Sequence, residues 1–252
     1  MKKLLYILSF LFSFGLFAQS DALFKQGNTL YNEGKYAEAI QKYDAILNTK
    51  KHSADLYYNL ANAHYKLNNI APSIFYYEKA LQLAPNDKDI QNNLTFAKNM
   101  TVDAIGVVPE VGFSKLFKSI THSMSFDDWA KTAVVLVFLF VILFLIYYFA
   151  YTTVRKRLTF IGSVLSLILL FVSLAFAFQK YALDKKDKPA IVFAQETQVK
   201  SEPNLRSEEA FRLHEGTKVQ VIDSVDKWSK VKLSDGKTGW LASGDIKTLT
   251  AF

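Results

Sequence analysis

Three stretches of the chain carry no charged side chain: Leu4–Ala18, Thr132–Val154 and Leu158–Gln179. The first follows Lys2 and Lys3 and ends on small Ala18 before Gln19 and Ser20. That order predicts a secretory signal peptide cut after Ala18, with an uncleaved N-terminal anchor as the alternative because bulky Leu16 sits at the third position before the cut. The other two runs are rich in Leu, Ile, Val and Phe. At about 1.5 Å per residue, each is long enough to cross a hydrocarbon core of about 30 Å. Between them lie Arg155, Lys156 and Arg157, predicted to form a short loop that the positive-inside rule holds in the cytoplasm. By parity, the segments before the first span and after the second then share the non-cytoplasmic side. In the second run Gly162, Ser166, Ser173 and Ala177 fall on one helical face, which suits either a seam against the first span or a contact between copies.

Elsewhere the pattern shortens. Phe113, Leu116, Phe117 and Ile120 recur at helical spacing with Lys115 and Lys118 on the other side, predicting an amphipathic helix that either rests in the lipid interface or packs as a connector. Ser125 with Asp128 three residues later reads as a capping box, and Trp129 as an interfacial anchor at the start of the first span. After Ala190 the apolar residues alternate with polar ones, over Lys218–Ile222 and Trp228–Leu233. Those are short strands, and the turns between strands are marked by Glu215–Thr217 and Ser234–Lys237.

A third pattern is an internal repeat. At an offset of 34 residues Gly27 aligns with Ala61, Asn28 with Asn62, Tyr31 with Tyr65, Tyr43 with Tyr77 and Leu47 with Leu81. These segments resemble the tetratricopeptide repeat, a pair of helices stacked on the next pair. Gly34 and Asn68 fall where the turn between the helices belongs, Ala39 and Ser73 at the close helix contact, and Pro85 at the end of the second repeat. Asp89–Asn99 resembles a third first-helix that caps the stack. Two repeats and a cap are few, since about three units are usually needed to bury a continuous core.

The resemblance implies protein binding in the concave groove lined by the first helices, with Asn28, Asn59, Asn62 and Asn93 as candidate groove residues. One subfamily grips a C-terminal carboxylate there with two asparagines and three cations. Here Phe24, Asp89 and Asn93 occupy the basic positions, so that clamp is not formed and the asparagines read as polar groove residues. Tyr57, Tyr58, Tyr65, Tyr76 and Tyr77 read as repeat core.

The C-terminal order, Val199–Pro203, then Leu213–Thr217, then Trp228 and Val231, then Gly239–Leu241, resembles a bacterial SH3-like domain. The resemblance implies a wall or peptide ligand, with Trp228 and Trp240 as aromatic candidates and Trp240 the more core-like of the two.

Composition narrows the chemistry. The chain has 252 residues, 50% hydrophobic and none of them cysteine, which excludes a disordered tail, a disulfide scaffold and a CxxC zinc site. Its net charge is +7, but Lys2, Lys3, Arg155, Lys156 and Arg157 carry five of those charges beside apolar runs. No soluble segment keeps the one-sided basic field that nucleic acid needs. His52, His64, His122 and His214 lie on four separate segments, with no HExxH, GxSxG or phosphate loop. No catalytic residue, metal site or cofactor is therefore expected, and the histidines read as packing residues.

The predicted architecture is a multi-domain membrane protein: all-α tetratricopeptide helical hairpins, a two-helix transmembrane hairpin and a small all-β SH3-like barrel. Its predicted segments are a signal peptide (1–18), a repeat module with a capping helix (19–101), an amphipathic connector (102–131), spans at 132–154 and 158–179 around the basic loop 155–157, a linker (180–189) and the barrel (190–252). This order resembles the BatE family of the Bacteroides-type aerotolerance (Bat) operon. That resemblance implies an inner-membrane protein with both soluble modules in the periplasm, partnered with other Bat proteins, several of which carry von Willebrand A domains, in a system linked to oxidative or envelope stress. Two roles fit: a scaffold that recruits proteins and touches protein or peptidoglycan, or a receptor whose barrel relays ligand binding through the spans.

Overall fold

A computed structural model describes residues 20–106 and 112–249. The expected signal peptide lies outside them. The described residues form two compact units, one from the residues before Val107 together with those after Asp187, the other from the residues between.

The first unit begins with five helices: α1 (residues 20–32), α2 (Tyr36–Leu47), α3 (Ala54–Lys66), α4 (Ile70–Leu83) and α5 (Lys88–Lys98). The turns inside the two hairpins fall at Gly34 (φ 78°) and Asn68 (φ 60°), left-handed positions that favour these two residue types. Ser53 caps α3 by accepting from the Leu56 amide at 3.1 Å, and Asp87 caps α5 by accepting from the amides of Asp89 and Ile90. The small residues of the repeat serve as expected: a Cβ on Gly27 would enter the Tyr43 ring, while Ala39, Ala61 and Ser73 are fully buried. Ala39, Tyr43, Ile46, Leu56 and Leu60 form the core of the first repeat, and Ile74, Phe75, Tyr77, Ile90 and Leu94 that of the second.

Seven antiparallel strands complete this unit: β1 (Pro189–Val192), β2 (Glu196–Lys200), β3 (Glu209–His214), β4 (Lys218–Val225), β5 (Trp228–Lys232), β6 (Thr238–Ala242) and β7 (Ile246–Thr248), ordered β3-β2-β6-β5-β4-β1-β7. Val192, Val199, Leu213, Val231 and Leu241 fill the centre of the sheet domain. The domain also completes the helical stack. Ile191 and Leu249 belong to the core of the second repeat, and Ile105 packs in the opposite sense against the strand core. The two-repeat stack thus buries its last face against strands rather than a third hairpin.

The second unit holds α6 (Phe113–His122), α7 (Phe126–Phe149) and α8 (Thr153–Lys186). Ser125 caps α7, accepting from the Asp128 amide at 3.1 Å as the capping box predicts. α7 and α8 are long and apolar enough to cross a membrane. They run antiparallel: Ser166 Oγ donates to the Leu136 carbonyl at 2.8 Å, Ser173 Oγ to the Trp129 carbonyl at 2.7 Å, and Gly162 faces Leu143. The small-residue face of α8 is therefore the seam of this hairpin.

Three expected boundaries move. Arg155, Lys156 and Arg157 are not in a loop but within the opening turns of α8, and the chain reverses at Ala150–Thr152 instead. Arg and Lys are good helix formers, so the triplet's charge does not oppose a helix there. α8 also runs through most of the expected linker to Lys186, and α7 starts at Phe126, inside the expected connector.

Candidate functional site

The first helices of the repeats, α1, α3 and α5, place their facing side chains around a cavity of about 260 Å³, lined by Tyr31, Tyr58, Asn62, Tyr65, Asn93 and Phe96 among others. Beside it runs a hydrogen-bonded ladder that repeats with the sequence period. Asn28 Oδ1 accepts from the Tyr43 hydroxyl at 2.8 Å and from Asn59 Nδ2 at 3.0 Å. One repeat on, Asn62 Oδ1 accepts from the Tyr77 hydroxyl and from Asn93 Nδ2, the latter at 3.0 Å. Asn93 Nδ2 also donates to the Tyr58 hydroxyl at 2.9 Å. Burial pushes the Tyr43 hydroxyl up to about 12, with Tyr31 adding to it, and raises Tyr77 for the same reason. Both phenols stay protonated donors, which fixes the amide orientation of their partners.

That orientation decides what the ladder can bind. The oxygens of Asn28 and Asn62 are occupied, and so are the amide nitrogens of Asn59 and Asn93. Among the described residues, the nitrogens of Asn28 and Asn62 and the oxygens of Asn59 and Asn93 make no hydrogen bond, and none of these four atoms is buried. Each rung therefore presents one donor and one acceptor to water, the pair an extended peptide backbone can meet. All four predicted asparagines are brought together in this way. Tyr57 and Tyr77 are buried as expected, and Tyr58, Tyr65 and Tyr76 are partly buried against the same core, while Tyr58, Tyr65 and Tyr77 also edge the groove cavity with Tyr31. The spacing of Tyr58 and Tyr65 around Asn62, i−4 and i+3 on α3, is the signal that places them on the groove face.

In the sheet domain, strand register gathers the two predicted tryptophans. Trp228 pairs with Ala242 and Lys230 with Trp240, so both rings and Lys230 share the face opposite Val231 and Leu241. Trp240 is buried, yet it lies outside the strand core, and Lys230 Nζ stands 5.7 Å from its ring centre. Trp228 is half-buried at the strand end.

Sequence reasoning missed the joint between helices and strands. The Asp103 carboxylate accepts from the His214 amide at 2.7 Å, from His214 Nδ1 at 2.8 Å and from Thr217 Oγ1 at 2.6 Å. Burial pushes that carboxyl up, but these bonds outweigh it and hold Asp103 below the usual carboxylate range. Glu78 on α4 is likewise pushed up by burial and brought lower by Lys218 at 2.7 Å and Lys98 at 3.0 Å. Gln82 Nε2 donates to the Leu249 carbonyl at 2.9 Å, and Lys247 Nζ sits 4.6 Å from the Phe75 ring centre. Gly216 (φ 84°) is pressed on Thr101, Ile70 and Ile74, where a Cβ would stand within 2.9 Å of all three. No residue of this joint lines the groove. The strands cover the side of the stack built on α4 and leave the asparagine ladder open.

His52 and His64 are held locally, whereas His214 is held by Asp103, 111 positions away, so the expectation of local packing fails for His214. His52 Nδ1 lies 2.7 Å from the Tyr57 hydroxyl. His64 stacks on Tyr76, and its Nδ1 lies 3.1 Å from Asn69 Nδ2, a donor that suits the neutral ring. Burial, with Lys247 adding, lowers His64 to about 4.

Family comparison agrees with both folded modules. A family described as TPR repeat matches residues 27–68, one described as tetratricopeptide repeat matches residues 54–87, and one described as bacterial SH3 domain matches residues 196–247. No curated protein matches the chain. Repeats and SH3 domain together suggest binding to protein or cell wall.

Proposed function

We propose that this chain is a non-catalytic inner-membrane scaffold. Its repeats recruit proteins through the asparagine groove, its SH3-like domain contacts protein or peptidoglycan, and both modules face the periplasm. The observation that carries the reading is the ladder: two rungs, one repeat apart, each offering an unspent amide donor and acceptor beside an aromatic cavity, while the strands occupy the other side of the stack. The apolar helices α7 and α8 support membrane insertion, and the basic triplet at the start of α8 supports a cytoplasmic hairpin end. The order of segments, resembling BatE, supports other Bat-type membrane proteins as the partners. A receptor role is less favoured, because the reversal between the spans is only Ala150–Thr152, with no room for a signalling domain.

A photoreactive residue at Tyr65, on the groove wall, tests this in native membranes. Discrete protein adducts are expected, and they are lost when Asn62→Ala and Asn93→Ala are combined. Labelling no stronger than from the same probe at Lys232 overturns groove binding. The wall contact is tested separately by sedimenting the solubilised full chain with purified sacculi, where pelleting that survives Trp228→Ala removes that face from the proposal. The full chain is required because the strands share a core with the helices.

A further inference from the structure

The connector helix α6 ends against the membrane hairpin at one level of its length. The Phe117 ring lies 5.6 Å from Phe176 on α8, Phe176 stacks on Trp129 at 4.9 Å, and Trp129 Nε1 donates to the Thr121 carbonyl at 3.3 Å. Thr121 is fully buried in that contact. Beside this edge the large apolar side chains of α6 are exposed. Phe113 is 81% exposed, Leu116 57%, Ile120 39% and Phe117 itself 39%. These four side chains make one continuous apolar stripe, because positions 0, 3, 4 and 7 of a helix fall within about 100° of one another. The polar side carries Lys115, Lys118 and His122, all exposed.

What covers the stripe follows from where it sits on the hairpin. Counting back along α8 from Phe176 to Arg157 at 1.5 Å per residue gives about 28 Å, close to the thickness of a hydrocarbon core. If the basic triplet marks one boundary of that core, Phe176 and Trp129 mark the other. α6 therefore meets the hairpin at the depth where acyl chains give way to headgroups. A helix there with one apolar stripe and one lysine-bearing side lies flat, its stripe on the acyl chains and its lysines outward. The outer surface of the hairpin is itself apolar next to this point, with Phe126 39% and Val134 55% exposed.

We propose that α6 is an in-plane anchor whose Phe113, Leu116, Phe117 and Ile120 stripe is covered by the lipid bilayer interface, making a third membrane-contacting helix beside the two spans. The proposal rests on the reading of α7 and α8 as spans. A protein partner on the same stripe is the competing outcome.

The chain has no cysteine, so single cysteines can carry spin labels without background. Labels at Phe113, Leu116 and Ile120, at Lys115 and Ser119, and at outward-facing Val137 within α7 would be read in the full chain reconstituted in phosphatidylcholine–phosphatidylglycerol vesicles. Relaxation by oxygen and by a water-soluble nickel chelate reports depth. The stripe positions are expected to favour oxygen and to be severalfold less accessible to nickel than Lys115 and Ser119, at a depth shallower than Val137. Stripe labels as open to nickel as Lys115, with Val137 shielded, overturn the anchor and leave the spans standing. Stripe labels immobilised and shielded from both reagents assign the face to protein and also overturn it. Nickel access at Val137 removes the span reading and the anchor with it. Leu116→Glu serves as a second variant: the Ile120 label should then lose its oxygen preference while the Val137 label keeps its own.

Discussion

The two units are built from similar apolar side chains turned in opposite directions. In the helix and strand unit the large residues point inward: Tyr43, Tyr77, Leu60, Ile74, Ile191 and Leu241 are almost wholly buried. In the hairpin the buried positions are small, Ala133, Ser163, Ser166, Ser173 and Ala177, while Phe138, Ile142, Leu145 and Phe171 face outward. Water drives the first arrangement, since each large side chain removed from it gains on the order of 1.5–3 kcal/mol. A surrounding as apolar as leucine supplies no such drive, and helices then meet through close backbone approach and interhelical hydrogen bonds. The outward large side chains of the hairpin are what the proposed lipid surrounding would favour.

The sharpest way to break that comparison is to remove one large side chain from each unit. Ile74→Ala should cost the first unit about 2–5 kcal/mol by chemical denaturation, the range for a buried aliphatic truncation. Phe138→Ala, outward on α7, should leave the thermal stability of the reconstituted protein nearly unchanged. An equal loss at the two sites would mean that both units are packed for water.

A second test asks how dry the inward core is. His64 is lowered to about 4 by burial, below its ordinary 6.5, so the unfolded chain binds the proton first as pH falls. Stability is then full above pH 6.5 and declines as the pH drops towards 4. The loss over that interval should be about 1–2 kcal/mol once screening by nearby water is allowed for. In His64→Phe the decline should flatten, leaving only the steeper loss below about pH 4 as carboxylates such as Asp103 and Glu78, held low in the fold, are protonated. An unchanged profile would show that the ring is solvated.

The smallest expected effect tests the seam. Ser173→Ala deletes one interhelical hydrogen bond and should weaken the hairpin by about 0.6 kcal/mol, as such bonds in membranes average. Ser173→Leu should do more, by forcing the helices apart. A neutral result for both would remove the seam as the source of packing.

Features that recur at a fixed spacing were readable in the chain. The 34-residue offset located the turns at Gly34 and Asn68 and the four ladder asparagines, and the small-residue spacing on α8 located the seam. Features that depend on a distant partner were not. Asp103 and His214 lie 111 positions apart, and nothing near either residue announces the other. Ile191 and Leu249 alternate like any strand residues, so their pattern says that they are buried but not that a helix buries them. The tyrosines were only half legible: a ring of that size with a polar tip can pack on a core and edge a groove at once, as Tyr58 and Tyr65 do. The basic triplet misled because charge alone does not say whether the backbone that carries it is coiled.

The strands docked on α4 and after α5 also set a direction for growth. A stack of helix pairs can in principle be lengthened at either end, but here the downstream end is plugged by Gly216, Ile191 and Leu249. An inserted 34-residue copy placed after α5 would have to evict that plug. The strand domain thus works as a stop that fixes how long the stack can grow downstream.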